Sequence, residues 1–175
     1  MSKVVGWLHE QECSVFRFLN LKCHSPSLTN FMGTITHLGG ARATIISTLL
    51  LLIFLPYPFK TLAIQSAVAL SLSHLPVHFI KKLYPRNRPY LAIPETKMLV
   101  YPLKDHSFPS GHTTAIFSVV VPYLLFVHPL AVPLLAVASI VAISRIYLGH
   151  HYPSDVLVGA LLGLGSAFVS AMCIT

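Results

Sequence analysis

Apolar and polar residues fall along this chain in long blocks. Five blocks, residues 41–56, 60–80, 112–128, 130–148 and 155–173, are predominantly apolar. Each approaches the ~20 residues that cross a bilayer as a helix. The first reaches that length only if it begins earlier, near Leu28. The breaks are Pro56-Tyr57-Pro58, His128-Pro129 and Tyr152-Pro153-Ser154, and Pro153 suits a first helical turn. Residues 4–22 differ: Val4, Val5, Leu8, Val15, Phe16, Phe18, Leu19 and Leu21 are interleaved with polar side chains. That mixture predicts an amphipathic helix at the membrane interface, with a sixth, poorer span as the alternative. Ser27 or Thr29 is expected to cap a short helix through Leu38, stopped by Gly39-Gly40. The expected architecture is an all-α integral-membrane bundle of five to six transmembrane helices with an amphipathic N-terminal helix. It forms a single domain over 1–175, with segment 1–27 ahead of a core at 28–175.

Composition supports the membrane class: 54% of residues are hydrophobic and 10% charged. No cleavable signal peptide is expected, because Glu10, Glu12 and Arg17 stand where its uncharged core should be. The net charge of +7 comes from 12 Lys+Arg against 5 Asp+Glu. It suits anionic lipid, an anionic substrate or an orientation signal. Nucleic acid is not an expected partner, since the basic residues form no long run and sit between apolar spans. Three cysteines, Cys13, Cys23 and Cys173, cannot pair completely within one chain. Cys173 is expected to pack as a small hydrophobe, and no Cys/His spacing fits zinc.

Spans alternate direction, so the loop 81–111 and the turn 149–154, two spans apart, share a membrane face. Almost every unusual polar residue falls there, in KKLYPRNRP (81–89), PSGH (109–112) and SRIYLGHHYPSD (144–155). Arg145 ends an apolar run, where an arginine costs ~3 kcal/mol and turns toward a cavity or a partner. Snorkelling, or a pair with Asp155, is the plainer reading. Asp155 four residues after His151 can hold one imidazole nitrogen and raise the basicity of the other; alternatively it complements a helix dipole. Ser110 and Gly111 beside His112 make either an ordinary cap or an anion nest. Lys81, Lys82, Arg86 and Arg88 read as a lipid anchor or a phosphate clamp, and Pro85 and Pro89 stiffen the backbone around the arginines. No paired carboxylates of the sort that hold magnesium are evident.

Lys81-x6-Arg88-Pro89, Pro109-Ser110-Gly111-His112 and Ser144-Arg145-x5-His151-x3-Asp155 resemble the three signature motifs of the type 2 phosphatidic acid phosphatase (PAP2) superfamily, complete and in order. The resemblance covers the chain from about residue 28 to the end. It implies a metal-independent lipid phosphatase working through a phosphohistidine, with no cofactor. His151 would be the nucleophile, Asp155 its orienting residue and His112 the general acid. Lys81, Arg88, Arg145, Ser110 and Gly111 would bind the phosphate. His150 does not fit the spacing and is assigned no role. His74 and His78 are one turn apart and are candidates to face the cavity; Lys104 and His106 are candidates to touch a headgroup.

The implied substrate is a lipid phosphate held in the bilayer: undecaprenyl diphosphate, phosphatidylglycerophosphate or phosphatidic acid, with a lean to the first. No obligatory protein partner is evident. A vanadate-dependent peroxidase is disfavoured by the apolar spans, and a non-catalytic lipid-phosphate binding or transport protein by the presence of both histidines. The expected location is the cell membrane. The positive-inside rule would turn the basic face to the cytoplasm, but several of those cations belong to the clamp. Relatives that recycle cell-wall carriers face outward, and the extracytoplasmic face is expected here.

Overall fold

The computed structural model describes residues 3–99 and 101–174. The described residues form helices and connecting loops without strands. The helices are α1 (Lys3–Arg17), α2 (Pro26–Ile35), α3 (Ala41–Phe54), α4 (Phe59–Leu83), the short α5 (Pro89–Ala92), α6 (Gly111–Phe126), α7 (His128–Tyr147) and α8 (Pro153–Cys173). A π-helical turn, Phe18–Lys22, extends α1, and a 3-10 turn, Thr36–Gly39, follows α2.

All five apolar blocks are helical, but they are not equal as spans. Helices α4, α7 and α8 are each long and apolar enough to cross a membrane. Helix α3 has only 14 residues, about 21 Å of rise against the ~30 Å of a hydrocarbon core. It meets the test only jointly with Pro26–Gly39, from which it is bent by 55°. The upstream start expected near Leu28 therefore lies in a bent pair. Helix α6, with 16 residues, is a shorter apolar helix. Three to four candidate spans follow by length and composition. Pro76, Pro122 and Pro133 sit inside α4, α6 and α7, where missing N–H groups are tolerated because neighbouring helices shield the backbone.

The cap of α2 is Ser25, not Ser27 or Thr29: its hydroxyl accepts from Leu28 N, and Pro26 opens the helix. Pro26 supplies the reason, since its fixed φ and absent N–H favour the first helical position.

Helix α6 is the axis of the bundle. Thr113 through Pro122 are all buried, and the core joins Ile116, Phe117 and Val120 of α6 to Val141 and Ile146 of α7, Val156 of α8 and Phe16 of α1. Glycine sets the α6–α8 spacing. A Cβ on Gly159 would stand 2.7 Å from Ser110 O, and one on Gly163 2.6 Å from Thr114 O. This is the small-xxx-small packing that lets membrane helices approach backbone to backbone. On the outer faces, Ile46, Ile53 and Phe54 of α3, Phe79 of α4, and Leu157, Leu161 and Met172 of α8 are exposed, as lipid-facing positions are. Cys173 is exposed too, because it lies on the outer side of the last turn of α8; all three cysteines are free.

Candidate active site

The site lies where the 84–110 loop meets the α7–α8 turn. Its anchor is Asp155, fully buried at the third position of α8. Asp155 Oδ2 accepts from Tyr152 N at 2.9 Å and from Ser107 Oγ at 2.5 Å, and Oδ1 accepts from Arg86 Nη1 at 2.8 Å. The carboxylate thus caps the start of α8 and pairs with Arg86, and its Oδ2 also lies 3.5 Å from His151 Nδ1. Ser110 N donates to Asp155 O at 3.0 Å, which ties the PSGH turn to α8.

His151 is 2% exposed. Its Nδ1 lies 3.5 Å from Asp155 Oδ2, and its Nε2 lies 3.2 Å from Arg88 Nη1. A guanidinium has no acceptor. Nε2 therefore presents its lone pair, and the proton sits on Nδ1, toward Asp155. Burial, then the charges of Arg145, Arg88 and Lys81, hold the His151 imidazole well below its usual range, so it is neutral at pH 7.

Arg88 is 2% exposed. It donates to Asp105 O and Oδ1, both at 2.8 Å, and to His150 O at 2.8 Å. Lys81 Nζ donates to Asp105 Oδ2 at 2.6 Å and to His106 O at 2.7 Å. Asp105 thereby holds both cations of the first motif in place. Burial alone would raise its carboxyl; the hydrogen bonds and charges of Lys81 and Arg88 outweigh that and hold it down at about 2. Arg145, also 2% exposed, donates to Thr36 Oγ1 at 2.8 Å and to His150 Nδ1 at 2.7 Å. It is an inward-facing cation and does not snorkel or pair with Asp155.

Ser110 occupies the N-cap position of α6 without a side-chain cap bond; its hydroxyl accepts from Thr113 Oγ1 at 3.0 Å. A Cβ on Gly111 would meet nothing within 4 Å. The first N–H groups of α6 are thus free of a serine cap and approachable, which fits the nest better than the plain cap. His112 is half-buried beside the Gly39-Gly40 turn. A Cβ on Gly39 would stand 2.7 Å from His112 O, and one on Gly40 3.5 Å from His112 Nε2.

Six of the eight expected site residues, Lys81, Arg88, Ser110, Arg145, His151 and Asp155, join one hydrogen-bonded constellation, and Gly111 and His112 border it. Spacing alone missed His150, Asp105 and Thr36, and Arg86, one of the four cations read as a lipid anchor or phosphate clamp, is instead bound to Asp155. His150 is 3% exposed. With Nδ1 accepting from Arg145, its proton is on Nε2, and burial, then Arg145 and Arg88, lower its pKa to about 3. His74 and His78 are exposed on α4 and do not face the site; His74 Nδ1 turns back to Leu70 O of its own helix at 2.7 Å. Lys104 and His106 are exposed.

Three buried nitrogens of the cluster, Arg145 Nε, His150 Nε2 and His151 Nδ1, have no hydrogen-bond partner among the described residues, the last although it lies 3.5 Å from Asp155 Oδ2. Buried polar groups are rarely left so, and donors beside two guanidinium groups suit the oxygens of an anion. Among the described residues no three His, Cys, Asp or Glu side chains gather as a metal site. An apolar groove of about 430 Å³ runs from Leu38 and Ile116, next to Gly39 and His112, down to Leu55 and Leu130. Ala43, Ser47 and Leu51 of α3 form one wall, Leu134 and Val137 of α7 the other, and Val119, Val120 and Tyr123 of α6 the floor.

The family profile described as "PAP2 superfamily" matches residues 61–175. The chain belongs to the PAP2 superfamily. Among curated relatives of this PAP2 chain, the bacitracin transport permease protein BcrC of Bacillus licheniformis is 34% identical over 108 residues, 62% of this chain and 53% of that protein. An undecaprenyl-diphosphatase of Sulfolobus acidocaldarius is 33% identical over 112 residues, 63% of this chain and 52% of its own length. The chain thus spans about half the length of these relatives. Among solved structures, LpxE of Aquifex aeolicus superposes with a TM-score of 0.82 at 28% identity, covering 91% of this chain and 94% of that one. Its apolar helices and these relatives make this PAP2 chain a membrane protein.

Proposed function

We propose that this chain is a multi-pass lipid phosphate phosphatase of the cell membrane, acting through a phosphohistidine without a metal. The observation that supports this most is the His151 imidazole, with its Nε2 lone pair beside Arg88 and its Nδ1 toward Asp155. Two further unpartnered nitrogens, Arg145 Nε and His150 Nε2, lie within the same cluster as His151 Nδ1, itself without a hydrogen-bond partner.

In this reading the phosphoryl oxygens lie against Lys81, Arg88, Arg145, the Ser110 hydroxyl and the Gly111 N–H at the start of α6. Nε2 attacks phosphorus, and the bond from phosphorus to the leaving oxygen breaks. His112 gives that oxygen a proton. Water then attacks the phosphohistidine, His112 takes a proton back, and inorganic phosphate leaves. Fixed cations around the transferring group supply the transition-state stabilisation, usually the largest part of such catalysis.

Five spans are proposed: the bent α2–α3 pair, α4, α6, α7 and α8, with α1 at the interface and the whole chain acting as one domain. The groove between α3 and α7 opens beside His112 and suits a hydrocarbon tail. This supports a substrate anchored in the bilayer, such as undecaprenyl diphosphate, phosphatidylglycerophosphate or phosphatidic acid. The name of the Sulfolobus relative favours the first. The pocket is assigned to the extracytoplasmic face.

The test is phosphate release from a panel of these lipids by purified protein in detergent with EDTA, wild type beside His151→Ala. Release by wild type alone is expected. Release by a folded His151→Ala protein defeats the mechanism. Absence of release by folded wild type turns the assignment to binding or transport, the activity named for the Bacillus relative.

A further inference from the structure

Helix α1 delivers a carboxylate to the back of the His151–Asp155 pair. Arg86 stands between two acids from opposite ends of the chain. Its Nη1 donates to Asp155 Oδ1 and to Ser154 Oγ, both at 2.8 Å, and its Nη2 donates to Glu12 Oε1. Ser154 Oγ donates in turn to Glu12 Oε2, which closes a ring of three side chains, Arg86, Ser154 and Glu12, with Asp155 attached through Arg86. The Arg86 guanidinium also lies 3.9 Å over the Tyr152 ring. Helix α1 is fixed at this spot by Phe16, fully buried, whose ring packs on Tyr152 with centroids 6.0 Å apart. Glu12 is 15% exposed and Arg86 25%, so water and salt screen their charges only in part.

The arrangement has a consequence for Asp155. Its two oxygens serve different partners. Oδ1 takes Arg86; Oδ2 faces Tyr152 N, Ser107 Oγ and the His151 Nδ1 proton. A cation drawn fully onto Asp155 would consume the negative charge that makes His151 Nε2 basic. Glu12, on the other edge of the same guanidinium, draws part of that cation away. We infer that Glu12 is a positioning residue for phosphoryl transfer: it shares Arg86 with Asp155 and so leaves the Oδ2 charge to His151. The inference rests on the proposed role of His151 as nucleophile.

Glu12→Gln keeps the size and hydrogen-bonding shape of the side chain and removes its charge. The expected result is a kcat about tenfold lower, the scale on which orienting partners of a reactive group act, with KM unchanged. Glu12→Asp should recover part of the loss. A second readout needs no turnover. In the ¹H,¹⁵N spectrum of histidine-labelled protein in detergent, assigned with a His151→Gln sample, the Nδ1–H resonance of His151 should move upfield in Glu12→Gln as the pull of the Asp155 carboxylate, 3.5 Å away, weakens. A Glu12 that merely ties α1 to the bundle would lower Tm in this variant, leaving kcat and the His151 resonance where they are; that result overturns the inference. If Glu12→Gln does not fold, Glu12→Ala is read by the same two measurements, and an unchanged kcat and resonance overturn it equally. Wild-type protein inactive on every lipid phosphate would sink the proposed phosphatase, and the resonance would still decide whether Glu12 tunes Asp155.

Discussion

Arg88 Nη1 lies 3.2 Å from His151 Nε2, and that contact decides which imidazole nitrogen is available. The same guanidinium is braced by Asp105 and by the carbonyl of His150. Arg88→Ala should therefore remove both a clamp donor and the tautomer selector. A loss of about 10²–10³ in kcat is expected, the usual cost of one such donor. Arg88→Lys should recover little of it, because an ammonium cannot span three partners with the geometry of a planar fork. Steady-state phosphate release from the preferred lipid checks both.

Acid should destabilise the fold through its histidines. His150 and His151 have depressed pKa values in the folded protein, so below the unfolded value near 6.5 the unfolded chain binds more protons. Stability is full above about pH 6.5 and falls as pH drops, toward about 3 for His150. Asp105, held at about 2, adds a loss only below its ordinary value near 4. Tm in detergent should thus decline between pH 7 and 4, and less steeply in His150→Gln. An equal slope in that variant would contradict the assignment.

The glycine spacing between α6 and α8 predicts a position-specific cost. Gly159→Ala must push α8 away from Ser110 O, at about 1–3 kcal/mol for overpacking, with a matching drop in Tm and in activity. Gly165→Ala meets nothing within 4 Å and should be neutral or stabilising by up to about 1 kcal/mol. Thermal unfolding of the two variants side by side distinguishes them.

Filling the groove should separate tail from headgroup. Ser47→Trp narrows it from the α3 wall without touching the phosphate cluster. Displacing two buried methylenes costs about 1.6 kcal/mol, so KM for a long-tailed lipid should rise more than tenfold. A short-chain or water-soluble phosphate ester should be handled as before. Equal effects on both substrates would remove the groove from the reaction.

Most of the site was legible because its members fall in short motifs at helix ends, where spacing and side-chain type are both constrained. Lys81, Arg88, Arg145, His151 and Asp155 each carry such a mark, and the structure brings them together. Asp105, Thr36 and Glu12 carry none. Each meets its partner only through the fold, from a loop, from the 3-10 turn or from α1. His150 was passed over on spacing, although a second histidine next to the first was a visible signal. The unequal spans have a different cause. Hydropathy marks apolar blocks, but the bend at Gly39-Gly40 and the shortness of α6 depend on how the helices meet. His74 and His78 misled because one-turn spacing gives a shared face without saying which way that face turns.

The close approach of α6 and α8 at Gly159 and Gly163 also bears on how the protein responds to the bilayer around it. Membranes differ in thickness, and helices adapt by tilting. Here the helix that begins at Gly111 and the helix that begins two residues after His151 approach backbone to backbone, so they should tilt as one piece. Thickness would then act on α3, the short outer helix joined through a bend. In the proposed phosphatase, the rate of bond breaking would be insulated from lipid composition, and the admission of substrate would be where that composition is felt.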